Sequence, residues 1–382
     1  MTELQELLDR GDREGATAVA TRTLSNKPTD GEALSALARL ALESGDVSAA
    51  KTHLARVGPR DRELYEVLLA EAMVLQLSDQ TDAARLAFAQ LTAAHATRPE
   101  AFFALGLAQL EKQDAVNAEK ALATAVQLLP GHFLYRYRHA EALAQNGRFA
   151  DAALALTKTI ELRPDFVRAY LAFARMLEAN GQAAQGLEIL AAGLSSMPAD
   201  RQLQAEQLRL RLASGDTAAL ANADLGIAEE LMRASAHEAA IEVCTSLEAS
   251  GKGSAKVSLV KALSYENTAR IDEALEAYSK AMAQDPKDWS AANNRGLLLL
   301  EEYQDVPEKL AEAKATLEEA VKRAAGTVAD PLLNLALLHG SQKEYAQGIA
   351  LAKQVAAHPQ AGALKAQAEK MVASMEKAAK SA

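Results

Sequence analysis

Residues 133–164 read FLYRYRHAEALAQNGRFADAALALTKTIELRP. Two runs with apolar residues at helical spacing flank Gly147, the first carrying Ala140 and Leu143 and the second Phe149, Ala152 and Leu156. Residues three and four apart share one face of a helix, so each run predicts a helix with one buried side. Glycine suits the left-handed conformation that ends a helix, and proline cannot continue one. The stretch therefore reads as helix, turn at Gly147, helix, and a boundary at Pro164.

The same punctuation recurs along the chain. Gly11, Gly45, Gly147, Gly181 and Gly215 stand on one 34-residue grid, with Asp79 and Gln113 at the two intervening points. Pro28, Pro130, Pro164 and Pro198 share a second phase. Five residues after each turn comes a small residue, in the series Ala16, Ala50, Ala84, Ala118, Ala152 and Gly186. A larger apolar residue follows four positions later, as Leu54, Phe88, Leu122, Leu156 and Leu190. In the first helix of each unit the small position is Ala38, Ala72, Gly106, Ala140 and Ala174. Small residues let helices approach closely, so both helices of a unit offer a notch to a neighbour.

With these phased series the sequence resembles the tetratricopeptide repeat family, whose units are 34-residue helix-turn-helix pairs. The resemblance implies an all-α, right-handed superhelical solenoid. After Gly215 the grid slips: only the short segment Asp216 to Ala221 stands where a second helix belongs, and a new phase starts near Ala221 with Ala228, Ala240, Cys244, Ala262, Ala274, Tyr278 and Pro286. A later unit beginning near Trp289 reads as having a turn enlarged by about five residues around Tyr303 to Leu310, judged against the common repeat length. The organisation expected is an N-terminal array over 1–220 with a truncated last unit, a C-terminal array over 221–360, and a capping helix with a tail over 361–382. In that last segment Leu364, Ala368, Met371, Val372 and Met375 fall on one helical face, which would shield the end of the solenoid.

Composition agrees with an all-helical chain. Of 382 residues 49% are hydrophobic, but only 4% are aromatic, and alanine and leucine supply most of the apolar content. A formal charge of −10 opposes a phosphate backbone, so nucleic acid is not an expected partner. The lone Cys244 cannot form an internal disulfide, and no window has the length of uncharged apolar sequence that would span a bilayer. Residues 1–11 read as an acidic amphipathic helix and not as a secretion signal. A cytoplasmic protein without membrane insertion is the expectation.

Motifs that carry chemistry are sparse. The seven histidines are scattered; His132 and His139 share a helical face, but no cysteine or carboxylate of ligand spacing accompanies them. Gly251-Lys252-Gly253-Ser254 lacks the upstream glycine and the preceding strand of a phosphate loop. The repeats occupy nearly the whole chain, so no catalytic residue, metal site or cofactor is expected, and the chain is read as a non-enzyme.

The resemblance implies that first helices line a groove that binds a partner protein or peptide segment. Taking the fifth and ninth residues of each unit, together with adjoining positions, gives Phe103, Tyr137, Arg138, Arg168, Arg175 and Arg209 as one candidate surface, and Leu263, Asn293, Leu297 and Leu337 as another. Arginine forks suit carboxylates. Glu141, Glu178 and Glu206 lie on the same helices, so the arginines have a second reading as partners of these acids. The clamp by which one subclass of the family binds acidic chaperone tails is present only in fragments: Asn334 matches, but Leu297 and Asn293 replace its partners. The leading function is a scaffold or adaptor holding a partner segment in the groove. The alternative is a chaperone or assembly factor for a secretion, pilus or envelope machine.

Overall fold

All seven grid positions, Gly11, Gly45, Asp79, Gln113, Gly147, Gly181 and Gly215, have a positive φ in the computed structural model of the protein, which describes residues 2–381. Asp79 and Gln113, both at φ 59°, thus adopt the backbone that glycine supplies elsewhere on the grid. The described residues form helices and turns only. Packing divides the chain into two compact units, with the chain boundary between Met197 and Pro198.

The first unit contains α1 (Glu3–Asp9), α2 (Arg13–Asn26), α3 (Gly31–Glu43), α4 (Val47–Ala55), α5 (Tyr65–Leu77), α6 (Thr81–Ala94), α7 (Pro99–Glu111), α8 (Ala115–Leu128), α9 (Phe133–Gln145), α10 (Phe149–Leu162), α11 (Val167–Ala179) and α12 (Ala183–Ser196). Helices pack on their sequence neighbours, and the first helices α3, α5, α7, α9 and α11 also touch in succession. This nearest-neighbour packing defines a repeat solenoid. The small series Ala16, Ala50, Ala84, Ala118 and Ala152 is fully buried, as are Phe88, Leu122 and Leu190 of the larger series. One hairpin departs from the pattern: α4 stops at Ala55 because Gly58 and Pro59 follow. Asp61 then turns back to accept the backbone N–H of Gly31, capping α3 at 2.8 Å.

The second unit contains α13 (Arg201–Ala213), a 3-10 helix (Thr217–Asn222), α14 (Leu225–Arg233), α15 (His237–Ala249), α16 (Ala255–Asn267), α17 (Ile271–Gln284), α18 (Ser290–Glu302), α19 (Pro307–Ala324), α20 (Asp330–Ser341), α21 (Tyr345–Ala357) and α22 (Leu364–Ser381). The expected truncation is the six-residue 3-10 helix, whose Ala219 is buried against α15 residues in the core that surrounds Leu231 and Val243. Helix α13, read from sequence as part of the N-terminal array, belongs to this unit.

The enlarged turn expected at Tyr303 to Leu310 is corrected. Only Tyr303 to Val306 separate α18 from α19, and the extra residues lengthen α19 to 18 residues where α17 has 14. Pro307 starts α19 at its first turn, where a missing N–H costs nothing, so the insertion continues as helix instead of loop. Helix α22 lies on α20 and α21, with Ala368 and Met375 buried and Leu364, Met371 and Val372 half-buried against Leu333, Ala336, Ala352 and Val355. It covers the apolar face of the last hairpin, as a cap should.

Candidate functional site

Aromatic residues are rare in this chain, yet a continuous belt of them crosses three successive first helices of the first unit. Phe103 of α7 stacks on Tyr135 of α9 with ring centroids 4.4 Å apart, and Tyr135 stacks on His132 at 3.9 Å. His132 neighbours Phe133 at 6.0 Å, Phe133 meets Phe166 edge-on at 5.1 Å, and Phe166 meets Tyr137 edge-on at 5.1 Å. The helices place these rings: α9 begins at Phe133 with His132 as its N-cap, and Phe166 is the N-cap of α11. Two guanidiniums lie over the belt, Arg163 at 5.2 Å from the Phe133 ring and Arg138 at 5.5 Å from that of Tyr137. Such contacts hold planar cations beside aromatic faces.

The structure sorts the sequence candidates by availability. Phe103 of α7 is half-buried, and Arg168 is exposed on the first turn of α11. Arg168 has no hydrogen bond or ion pair among the described residues; its charge acts on the Tyr137 hydroxyl. Arg138 donates to Glu141 at 2.8 Å, and its Nε is buried without a partner. Arg175 is exposed on α11.

Tyr137 is corrected as a contact residue. It is only 7% exposed, with its ring held by Phe166 and its hydroxyl pushed up to about 12 by burial and then by Glu141. It supports the surface from beneath. Tyr135, 6% exposed, lies beneath the surface in the same way, whereas the half-buried Phe133 and Phe166 are site residues that the sequence reading did not include. The signal for Phe133 and Tyr135 was the aromatic density of FLYRYRH in a chain with so few aromatics; Phe166 had no such signal.

In the second unit Arg209 pairs along its own helix with Glu206 at 3.0 Å, which realises the ion-pair reading for this arginine. Asn293 is also corrected. It is 6% exposed and accepts a hydrogen bond from Asn334 Nδ2 at 2.9 Å, so it joins first helices α18 and α20 and does not face a ligand. Leu263 and Leu297 are half-buried and Leu337 is 42% exposed.

Among the described residues no group of three or more histidine, cysteine, aspartate or glutamate side chains is placed to hold a metal ion, and no helix is long and apolar enough to cross a membrane. Cys244 is buried, and burial pushes its thiol up to about 12.

A stack of helical hairpins presenting a row of first helices, with aromatic and cationic side chains along it, defines a helical-repeat interaction protein. The chain belongs to the tetratricopeptide repeat family: one tetratricopeptide repeat family model matches residues 7–72 and 143–210, and a second matches residues 69–133 and 259–306, together well over half the chain. Proteins of this kind are in general scaffolds for protein interaction, and neither match indicates a catalytic family.

No curated protein matches the chain. Solved structures that resemble it include a tetratricopeptide repeat protein from Parabacteroides merdae ATCC 43184, 15% identical, covering 74% of this chain and 96% of that one with a TM-score of 0.44. A Pseudomonas aeruginosa pilF structure is 16% identical, covering 55% and 94% with a TM-score of 0.44. A MamA protein is 22% identical, covering 42% and 87% with a TM-score of 0.37.

Proposed function

We propose that this chain is a non-enzymatic scaffold that binds a segment of a partner protein along the first helices of its N-terminal unit. The observation that carries the reading is the aromatic belt from Phe103 to Phe166 with the unpaired cation of Arg168 at its edge. Rings already stacked on one another lose little freedom on binding, and aromatic and arginine side chains dominate interface hot spots. An exposed arginine fork favours a carboxylate-bearing segment. The partner is thus read as an extended peptide with acidic and apolar residues.

The test is affinity capture with the intact chain and with a Phe103→Ala, Arg168→Glu variant whose circular dichroism matches wild type. A partner captured by wild type and lost from the variant supports the site. Equal capture by both places binding elsewhere.

A second reading, an assembly factor that shields an apolar segment of another subunit, is favoured by Leu337, which is 42% exposed on a first helix of the second unit. Loss of a captured partner with Leu337→Asp but not with the Phe103/Arg168 variant would select it.

A further inference from the structure

A cavity of the first unit lies toward the other end of α11 from the aromatic belt. It occupies about 460 Å³ between the N-terminal halves of α10 and α12 and the C-terminal half of α11. The nearest lining residue on α11, Phe173, is seven residues from Phe166, so belt and cavity are about 10 Å apart along the helix at the rise of an α-helix. Phe149, Phe173, Met176 and Ile189 give the cavity an apolar interior. Phe149 is 36% exposed, and Leu154, one turn beyond the lining residue Ala150 on α10, is 71% exposed.

At the rim stand Gln185 and Glu188 of α12. Glu188 is the only charged side chain in the lining, it is exposed, and it has no hydrogen bond or ion pair among the described residues. Gln185 likewise has no hydrogen-bond partner there. The neighbouring acid Asp151 is already paired, with Arg148 at 2.6 Å.

We infer that this cavity is a second docking site, on the second-helix side of the first unit, for a partner segment that inserts one apolar side chain and presents arginine or lysine to Glu188. Charge complementarity selects this occupant: the sole free charge of the lining is negative, and an acidic segment would be repelled. The volume suits a large apolar side chain with its neighbours, within the range of ordinary ligand pockets. A partner here leaves the first-helix face open, so one chain can hold two proteins at once. The inference does not depend on what binds the aromatic belt.

The experiment uses a random dodecapeptide display library selected on the immobilised full chain, with synthetic copies of the enriched peptides titrated against variants. The expected result is enrichment of peptides that pair a large apolar residue with arginine or lysine three or four positions away. Their affinity should fall at least tenfold with Ala153→Trp, which fills the cavity, and at least tenfold with the surface change Glu188→Lys, while Phe103→Ala, Arg168→Glu leaves it unchanged. The Glu188 variant keeps the test valid should Ala153→Trp unfold the hairpin. Enrichment of acidic peptides, no enrichment, or binding indifferent to Glu188→Lys would overturn the proposal.

Discussion

Leu122 of α8 seats on Gly106 of α7 so closely that a Cβ on the glycine would lie 2.5 Å from the leucine Cγ. The relation repeats in the second unit, where a Cβ on Gly296 would lie 2.6 Å from Leu317 Cγ. In both hairpins the small first-helix position is thus a socket for the large second-helix residue. Gly106→Ala would gain about 1 kcal/mol of helix propensity but must displace Leu122 from a close-packed core. We expect Gly106→Val to destabilise by about 1–3 kcal/mol, the usual cost of overpacking, and to lower the thermal midpoint. A midpoint equal to wild type would show that the hairpin opens to admit the side chain.

Turn positions without glycine offer the opposite lever. Gln113 at φ 59° and Ala269 at φ 56° hold a left-handed backbone that opposes their Cβ atoms. Glycine removes that strain of about 1–2 kcal/mol, less its own entropy cost in the unfolded chain. Gln113→Gly and Ala269→Gly should each raise stability by about 0.5–1 kcal/mol in urea titrations, and Gly147→Ala should lower it.

The cap is tested at Met375. Its Sδ would lie 2.7 Å from a Cβ on Gly348 and its Cε 2.4 Å from one on Gly340, so it fills a notch left by two glycines. Met375→Ala should cost about 2 kcal/mol or more by leaving a void there. Deleting residues 361–382 should lower the thermal midpoint and promote association, read by light scattering, because Leu333, Ala336, Ala352 and Val355 lose their cover. Unchanged melting and a monodisperse sample would rule out a capping role.

Glu248 gives a pH-dependent prediction for the second unit. Burial alone would raise its carboxyl, but the ammonium groups of Lys280 at 2.8 Å and Lys261 at 2.9 Å outweigh burial and hold it below the ordinary value. A depressed folded-state value means stability present above the unfolded carboxylate range and lost as pH falls through the folded one. Glu248→Gln should therefore destabilise by about 2 kcal/mol at pH 7, a typical figure for hydrogen bonds to a charged group, with the difference shrinking below about pH 4. A constant difference across that range would remove the ion pairs from the account.

Electrostatic binding at Arg168 predicts salt sensitivity. Raising ionic strength from 0.01 M to 1 M shortens the screening length from about 30 Å to about 3 Å, so a captured acidic partner should bind more weakly at high salt. With Arg168→Glu the salt dependence should flatten or reverse, measured by titration calorimetry on the captured partner. An unchanged slope would mean that the guanidinium stays outside the interface.

The repeat architecture was legible in the sequence because it rests on local rules. A left-handed residue every 34 positions ends a helix wherever it stands, and the series from Ala16 to Ala152 marks close contacts between elements adjacent in the chain. The same locality made the truncated unit after Gly215 readable, since six residues cannot form a second helix of ordinary length. At Pro307 the count of inserted residues was legible but not their conformation, because loop and extra helical turn fit the same spacing; the extra residues became part of α19.

Which first-helix side chains face outward was a tertiary decision. Tyr137 and Asn293 occupy the same repeat position as Phe103, three residues before the small first-helix residue, yet Phe166 at the N-cap of the next first helix covers the tyrosine and Asn334 of the next first helix binds the asparagine. The arginines show the same division: Arg138 and Arg209 each found a glutamate three residues away, while Arg168 found none among the described residues. Helical spacing determines which residues share a face. Whether that face meets a neighbour or a partner depends on the side chains that the adjoining helix brings across the gap, and only the packed structure fixes those.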